Sequence, residues 1–229
     1  MTYQDSYDRS IRHPADFWRQ QANQIRWFKE PEEVLFQASD DYVRWFRGGR
    51  LNTSYLALDF HVEQGRGDQP ALIYDSPVTD SHRIYTYKQL RDEVARFAGA
   101  LSQLGVVKGD TVVIYMPMIP ETIVAMLACA RIGAIHSVVF GGFAAHELAI
   151  RIDDARPKVL LTASAGKEAD RVIDYLSIIN EALEQTENPP QRCVVLQRDF
   201  HKAELLADRD LDWQEISRTA TPTGWVELD

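Results

Sequence analysis

The residues of this chain that could do chemistry gather around one stretch, "HSVVFGGFAAHELAIRIDDARPKVLLTAS", residues 136–164. An apolar run at 137–140 breaks at Gly141 and Gly142. An amphipathic stretch follows, and a second apolar run covers 159–162. The pattern reads as strand, tight turn, helix, strand. Glycines at such a turn let a backbone approach a ligand, and the N–H groups that open the next helix suit an anion. A tight turn also needs glycine with no ligand in view, and that plainer account stands beside the first. The segment is not G-x-G-x-x-G and carries no P-loop lysine, which speaks against a dinucleotide or P-loop site.

Past the next strand, at the same edge of the sheet, come Gly166, Lys167, Glu168 and Arg171. Lys167 and Arg171 are four apart, which on a helix gives them one face. Two cations near a helix start oppose the dipole. Glu168 and Asp170 would offset that, and so would an anionic ligand; a solvated helix face is the plainer account. The six histidines form no metal-ligand spacing, and no nucleophile–His–acid arrangement stands out. His136 reads as a packing or hydrogen-bonding residue at a strand entrance, and Met116, Met118 and Met126 as core. On residue types alone this is an α/β domain with an anion site and no visible catalytic machinery.

The elements that must position these residues form a regular series from Asp110 onward. The pattern predicts strand 111–115, helix 121–132 opened by Pro120 and ended by Gly133, strand 137–140, helix 144–155, strand 158–163, helix 170–184 and strand 193–197. Apolar strands alternating with helices imply a parallel sheet with helices on both faces, joined by right-handed crossovers. Ahead of the series, 71–74 and 83–85 read as two short strands. Thr86 and Gln89 form a capping-box pattern, and Leu90, Val94, Phe97, Leu101 and Leu104 follow at helical spacing up to Gly105. The first sixty residues differ. Trp18, Trp27, Phe28, Trp45 and Phe46 sit among charges without steady period, around a short helix at 16–27. Such an aromatic-rich arm is expected to cover the body of the protein. At the other end, 205–216 reads as charged and poor in apolar residues, and nothing in 219–229 reads as closing a domain.

With 229 residues the chain can bury a sizeable core, and 45% apolar with 26% charged residues fits a soluble globular protein. The net charge of −9 argues against non-specific nucleic-acid or anionic-membrane binding as the main role. The longest apolar run, 122–130, falls far short of the roughly 20 residues a spanning helix needs. No secretory pattern opens the chain. Cys129 and Cys193 lie far apart and read as reduced packing residues, which suits a cytoplasmic protein.

Four stretches carry a resemblance: "DFWRQQANQIRWFKEP", "RWFRGGRLNTSY", "YTYKQLRDEVARFAGAL" and the long block 108–166. Together they resemble the amino-terminal third of AMP-forming short-chain acyl-CoA synthetases, a family of adenylate-forming enzymes. "MPMIPE" and "FGGFAAHELAIRIDDARPK" are more similar to propionate-activating members than to acetate-activating ones. The resemblance implies an arm over 1–65 and, over 66–229, the first part of the AMP-binding large domain, truncated before the Ser/Thr/Gly-rich ATP phosphate loop. It implies a parent ligase that uses Mg-ATP to turn a short-chain carboxylic acid into an acyl-adenylate and then passes the acyl group to coenzyme A. The fragment alone is expected to be inactive, to hold neither coenzyme A nor ATP tightly, and to expose surface suited to self-association. The resemblance also implies that the coenzyme A nucleotide lies near Phe140, Gly141 and Gly142, with Gly166 and Arg171 toward its 3′-phosphate. Relatives often carry arginine where this chain has Glu168, and Lys167 is expected to substitute. No nucleic-acid or membrane partner is implied. Two other readings are a non-catalytic binding module built on the half-domain and a Rossmann-type oxidoreductase. The missing glycine fingerprint and the missing downstream ribose acid speak against the latter.

Overall fold

The computed structural model describes residues 2–38 and 42–229. The chain forms two compact units, Met1–Asn52 with Glu227–Asp229, and Thr53–Val226.

In the smaller unit, α1 (Tyr3–Arg12) and α2 (Pro14–Ala22) precede an antiparallel hairpin of β1 (Glu33–Gln37) and β2 (Val43–Arg47). Thr2 and Asp5 cap α1 reciprocally, and Pro14 opens α2, where its missing N–H costs nothing. The helix expected at 16–27 therefore begins and ends earlier. The aromatic residues that lack a sequence period meet one another: Trp18 lies edge-on to Trp45 at 5.7 Å between ring centroids, and Phe46 touches both Trp27 and Trp45. The Trp27 indole N–H donates to the Ala22 carbonyl at 2.9 Å.

The larger unit opens with a helical stretch, 53–66, whose turns are wide: the Phe60 N–H reaches back five residues to the Tyr55 carbonyl. An antiparallel hairpin follows, β3 (Pro70–Ser76) with β4 (Ser81–Thr86), and then α3 (Tyr87–Gln103). The expected capping box forms. The Gln89 N–H donates to Thr86 Oγ1 at 3.2 Å, and the Thr86 N–H donates to Gln89 Oε1 at 2.9 Å. The alternating series then runs β5 (Thr111–Met116), α4 (Pro120–Ile132), β6 (Ile135–Phe140), α5 (Ala145–Ala155) and β7 (Val159–Ala163). After it come β8 (Ala165–Glu168), β9 (Arg171–Asp174), α6 (Tyr175–Gln185), β10 (Arg192–Leu196), β11 (Asp210–Asp212) and α7 (Trp213–Thr219). Five of these strands make one parallel sheet in the order β11-β10-β7-β5-β6.

The period-2 alternation of the strands divides the core into two layers. Val112, Ile114, Met116, Leu161 and Val194 pack on one face with α3, α4 and α7; Val113, Tyr115, Leu160 and Cys193 pack on the other with α5 and α6. The sheet is thus covered on both faces, as the strand pattern implied. Cys129 and Cys193 are buried in opposite layers, so they are packing residues, and burial pushes each thiol up to about 12. Gly133 ends α4 in the left-handed region at φ 75°.

Three expectations fail. The helix over 170–184 begins only at Tyr175, because Asp174 accepts from the Ser177 N–H at 3.1 Å and caps it there. The residues before it form the antiparallel β8–β9 hairpin, with Ala169 at φ 49° in its turn. Met118 is not core: it is 82% exposed beyond the end of β5. The carboxy-terminal stretch does pack. Asp212 accepts from the Glu215 N–H and starts α7, whose Trp213 stacks on Phe97 at 3.6 Å. The chain then crosses α3 and α4, with the Thr223 N–H donating to the Ala95 carbonyl and the Val226 N–H to the Arg131 carbonyl. A Cβ at Gly99 would overlap the Thr221 carbonyl, so the crossing depends on glycine there.

Arg131 fastens this crossing. Its guanidinium donates to Asp59 through two nitrogens at 2.7 and 3.0 Å and to the Thr223 carbonyl at 2.8 Å, and the two side chains are only 6% and 13% exposed. Asp59→Ala leaves that charge buried without its carboxylate, which costs about 3–5 kcal/mol. Urea unfolding is expected to show a loss of that order; a loss of a few tenths would refute the role. A second expectation concerns pH. Burial holds the half-buried His136 imidazole below its usual 6.5. The unfolded chain therefore takes up the proton first, and this contribution is full above pH 6.5 and drains away as pH falls below it. The stability difference between about pH 7.5 and about pH 5.5 should be smaller in His136→Gln than in the wild type.

Candidate functional site

Where adjacent parallel strands send their connections to opposite faces, a crevice opens at their carboxyl ends. β5 and β6 do this: α4 leaves β5 toward one layer, and α5 leaves β6 toward the other. A cavity of about 530 Å³ lies there, walled by the ends of β5 and β6, the β8–β9 hairpin and the β3–β4 turn.

Its walls differ in character. Met118, Val138 and the 69%-exposed Phe140 give an apolar side. Lys167 and Arg198 bring positive charge, and Glu168 lies at the rim. Five of the six residues singled out in the sequence line this cavity: Phe140, Gly141, Gly142, Gly166 and Lys167. Arg171 does not. It pairs across the hairpin with Glu168 at 3.2 Å, both side chains being more than 70% exposed. Cross-strand partners share a face and neighbours along a strand alternate, so Lys167, paired with Val172, points away from Arg171. The shared helix face expected for Lys167 and Arg171 is therefore absent, because this segment is a hairpin. The wall also stops short of Ala145, so the first N–H groups of α5 are not part of it.

Tyr175 explains two of the glycines. A Cβ on Gly141 would overlap the Tyr175 hydroxyl, and one on Gly166 would sit 3.0 Å from a ring carbon of the same side chain. Tyr115 lies beside it, ring centroids 5.0 Å apart. The Tyr115 hydroxyl donates to the Phe143 carbonyl at 2.7 Å and thereby ties down the turn after β6. Burial pushes the Tyr115 phenol up to about 12 and raises that of Tyr175, so both are neutral donors. Ser164, Tyr175 and Arg198 carried no motif in the sequence. The one available signal was the β-branched pair Val172-Ile173 ahead of Asp174, which marks a strand running into a capped helix.

The fold and this crevice define an open parallel α/β domain with a cavity at the carboxyl edge of its sheet. Two families match: AMP-binding enzyme over residues 59–224, and Acetyl-coenzyme A synthetase N-terminus over residues 3–57. The chain belongs to the AMP-binding enzyme family. It is 48% identical over 214 residues to rat (Rattus norvegicus) acyl-CoA synthetase short-chain family member 3, mitochondrial, covering 93% of this chain and 31% of that protein. It is 44% identical over 216 residues to acetyl-coenzyme A synthetase of Rubrobacter xylanophilus, covering 94% and 33%. Propionate–CoA ligase of Escherichia coli is 39% identical over 231 residues, covering 99% and 37%. Among solved structures, acetoacetyl-CoA synthetase from Streptomyces lividans superposes with a TM-score of 0.86 at 25% identity, covering 100% of this chain and 34% of that one. The chain spans about a third of the length of these relatives. Among the described residues no helix is long and apolar enough to cross a membrane.

The glycine analysis makes a separable prediction. Gly141→Ala should destabilise the chain by about 1–3 kcal/mol, the usual cost of overpacking, and Gly166→Ala, whose Cβ is only tight against Tyr175, should cost less. Adding Tyr175→Phe removes the atom that Gly141→Ala meets but not the ring carbon that Gly166→Ala meets. A double-mutant cycle should therefore show recovery for the first pair and little for the second.

Proposed function

We propose that this chain is the amino-terminal part of an acid–thiol ligase that activates a short-chain acid, propionate in preference to acetate, and transfers the acyl group to coenzyme A. In that reaction the acid carboxylate attacks the α-phosphorus of ATP, and pyrophosphate leaves. The coenzyme A thiolate then attacks the acyl carbon, and AMP leaves with the bonding pair. The carrying observation is the cavity that gathers Phe140, Gly141, Gly142, Gly166 and Lys167 at the ligand edge of the sheet. An apolar, aromatic wall beside a cation suits the nucleotide end of coenzyme A, with adenine against Phe140 and phosphate toward Lys167. Glycine at 141 and 166 keeps Tyr175 below the floor and leaves the backbone open to the ligand. Arg171 has a smaller part, because it sits outside the cavity and already pairs with Glu168.

Overall identity does not rank the acids, since the acetyl-coenzyme A synthetase shares 44% and the propionate–CoA ligase 39%. The preference for propionate rests on the stretches 116–121 and 140–158. Among the described residues no three His, Cys, Asp or Glu side chains gather as a metal site, so no step through Mg²⁺ is assigned to this chain. The reading includes a cytoplasmic location, in keeping with two buried, unpaired thiols.

In the full-length protein, propionate should support pyrophosphate exchange and thioester formation with a higher kcat/KM than acetate. Lys167→Ala should raise the coenzyme A KM by about tenfold, the low end for a lost charge-assisted hydrogen bond in a screened site. Arg171→Ala should raise it less than about threefold, the scale of an exposed ion pair. The 229-residue chain alone should show no exchange. A full-length protein that forms no acyl-adenylate from any short acid would overturn the reading.

A further inference from the structure

Three cations stand near the cavity, and only two face into it. Arg171 is outside and paired with Glu168. Lys167 and Arg198 both line the cavity, and among the described residues neither side chain has an ion-pair partner within 4.0 Å. Glu168 borders the cavity as well, but its carboxylate is taken by Arg171 on the other face of the hairpin, so the two unpaired cations are the charged groups left to meet an anion.

We propose that Arg198 is the second anion-holding residue of this cavity, gripping a phosphate of the nucleotide together with Lys167. This rests on the coenzyme A reading above and gives to Arg198 the part that the sequence pattern suggested for Arg171.

The loop that follows β10 is built to hold Arg198 in place. Its main-chain N–H donates to Ser164 Oγ at 2.8 Å, and the same hydroxyl donates to the His201 carbonyl at 2.7 Å. Ser164 is fully buried just after β7, so this loop is tied to the centre of the sheet. Next to it, the Gln197 side chain both donates to the Ala203 carbonyl and accepts from the Ala203 N–H, each at 2.9 Å. Asp199, the adjacent carboxylate, is engaged by Lys202 at 3.0 Å. The Arg198 guanidinium lies 5.2 Å from the Phe200 ring centroid, a contact that orients it and leaves its charge intact. A cation whose loop is fastened through Ser164 and Gln197, and whose guanidinium makes no ion pair within 4.0 Å among the described residues, is preorganised for an anion.

The test uses the full-length protein, with coenzyme A and dephospho-coenzyme A as thiols and acid-dependent pyrophosphate exchange as a separate readout. Arg198→Ala keeps the main-chain bond to Ser164. It should raise the coenzyme A KM by about tenfold and leave exchange unchanged, with Arg198→Lys recovering most of the loss. If the penalty disappears with dephospho-coenzyme A, the contact is to the 3′-phosphate; if it persists, the contact is to the diphosphate. Either result supports the assignment. An unchanged KM in Arg198→Ala beside a raised KM in Lys167→Ala overturns it and leaves the functional reading standing. Exchange and thioester formation falling together, without rescue by lysine, make Arg198 structural and overturn it too. A wild-type protein that forms adenylate but transfers nothing to coenzyme A overturns both.

Discussion

Tyr175 occupies the space in which Gly141 and Gly166 would otherwise carry side chains, and the carboxyl edge of the sheet is arranged around it. The ring is delivered from the first residue of α6, whose N–H donates to the Ser164 carbonyl at 3.2 Å, so its position is set by the end of β7. From there it reaches under the turn at Gly141 and the start of β8 at Gly166. Tyr115 stands beside it and holds that turn by its hydroxyl. With the Tyr175 side chain in place, a side chain at 141 overlaps its hydroxyl, and one at 166 is tight against its ring. A larger residue at 141 would lift the turn that carries Phe140, and the apolar wall would move with it. The cavity floor is thus a steric consequence of a buried tyrosine pair packed under glycine.

The distribution of charge follows from a hairpin standing where a helix was expected. On a helix, positions 167 and 171 would lie on one face. On paired strands they fall on opposite faces, Lys167 with Val172 and Arg171 with Glu168. The hairpin therefore sends one cation to the cavity and spends the other on its own surface ion pair. In a chain of net charge −9, an anion is not drawn in by the protein as a whole. Lys167 and Arg198, on the loop after β10, are the basic side chains that line the cavity, and among the described residues neither has an ion-pair partner within 4.0 Å.

How much of this was legible in the sequence depends on how local each determinant is. The Thr86–Gln89 box, Pro120 and Gly133 act within a single turn of helix, and each appears in the structure where it was read. The parallel sheet was legible because buried strands such as Thr111–Met116 are apolar without interruption. The cavity was legible only as far as its glycines marked turns. Tyr175 and Arg198 are reached from strand ends that only the sheet order brings together, and no spacing in the chain records that. The packing of 205–216 is not legible because its few apolar residues act singly: one indole, Trp213, covers Phe97. Asp212 and Glu215, three apart, did carry a capping signal that went unused.

α4 links the two halves of this arrangement. Ile119 and Thr122, at its start, line the cavity, and Arg131, at its other end, is buried against Asp59 and the Thr223 carbonyl. The 13 residues of α4 therefore span from the cavity to the buried ion pair. The helical stretch 53–66 supplies Asp59 and the carboxy-terminal crossing supplies Thr223, so the helix that walls the cavity is held by segments remote from it in sequence. Arg131 is charged in a helix that is otherwise apolar along most of its length, and a buried ion pair contributes little net stability by itself. Its effect is directional. Two guanidinium bonds to Asp59 and one to the Thr223 carbonyl require the helical stretch 53–66, α4 and the crossing chain to meet at one point. Two residues before that carbonyl, Thr221 passes directly over Gly99, where only a missing Cβ leaves room for it.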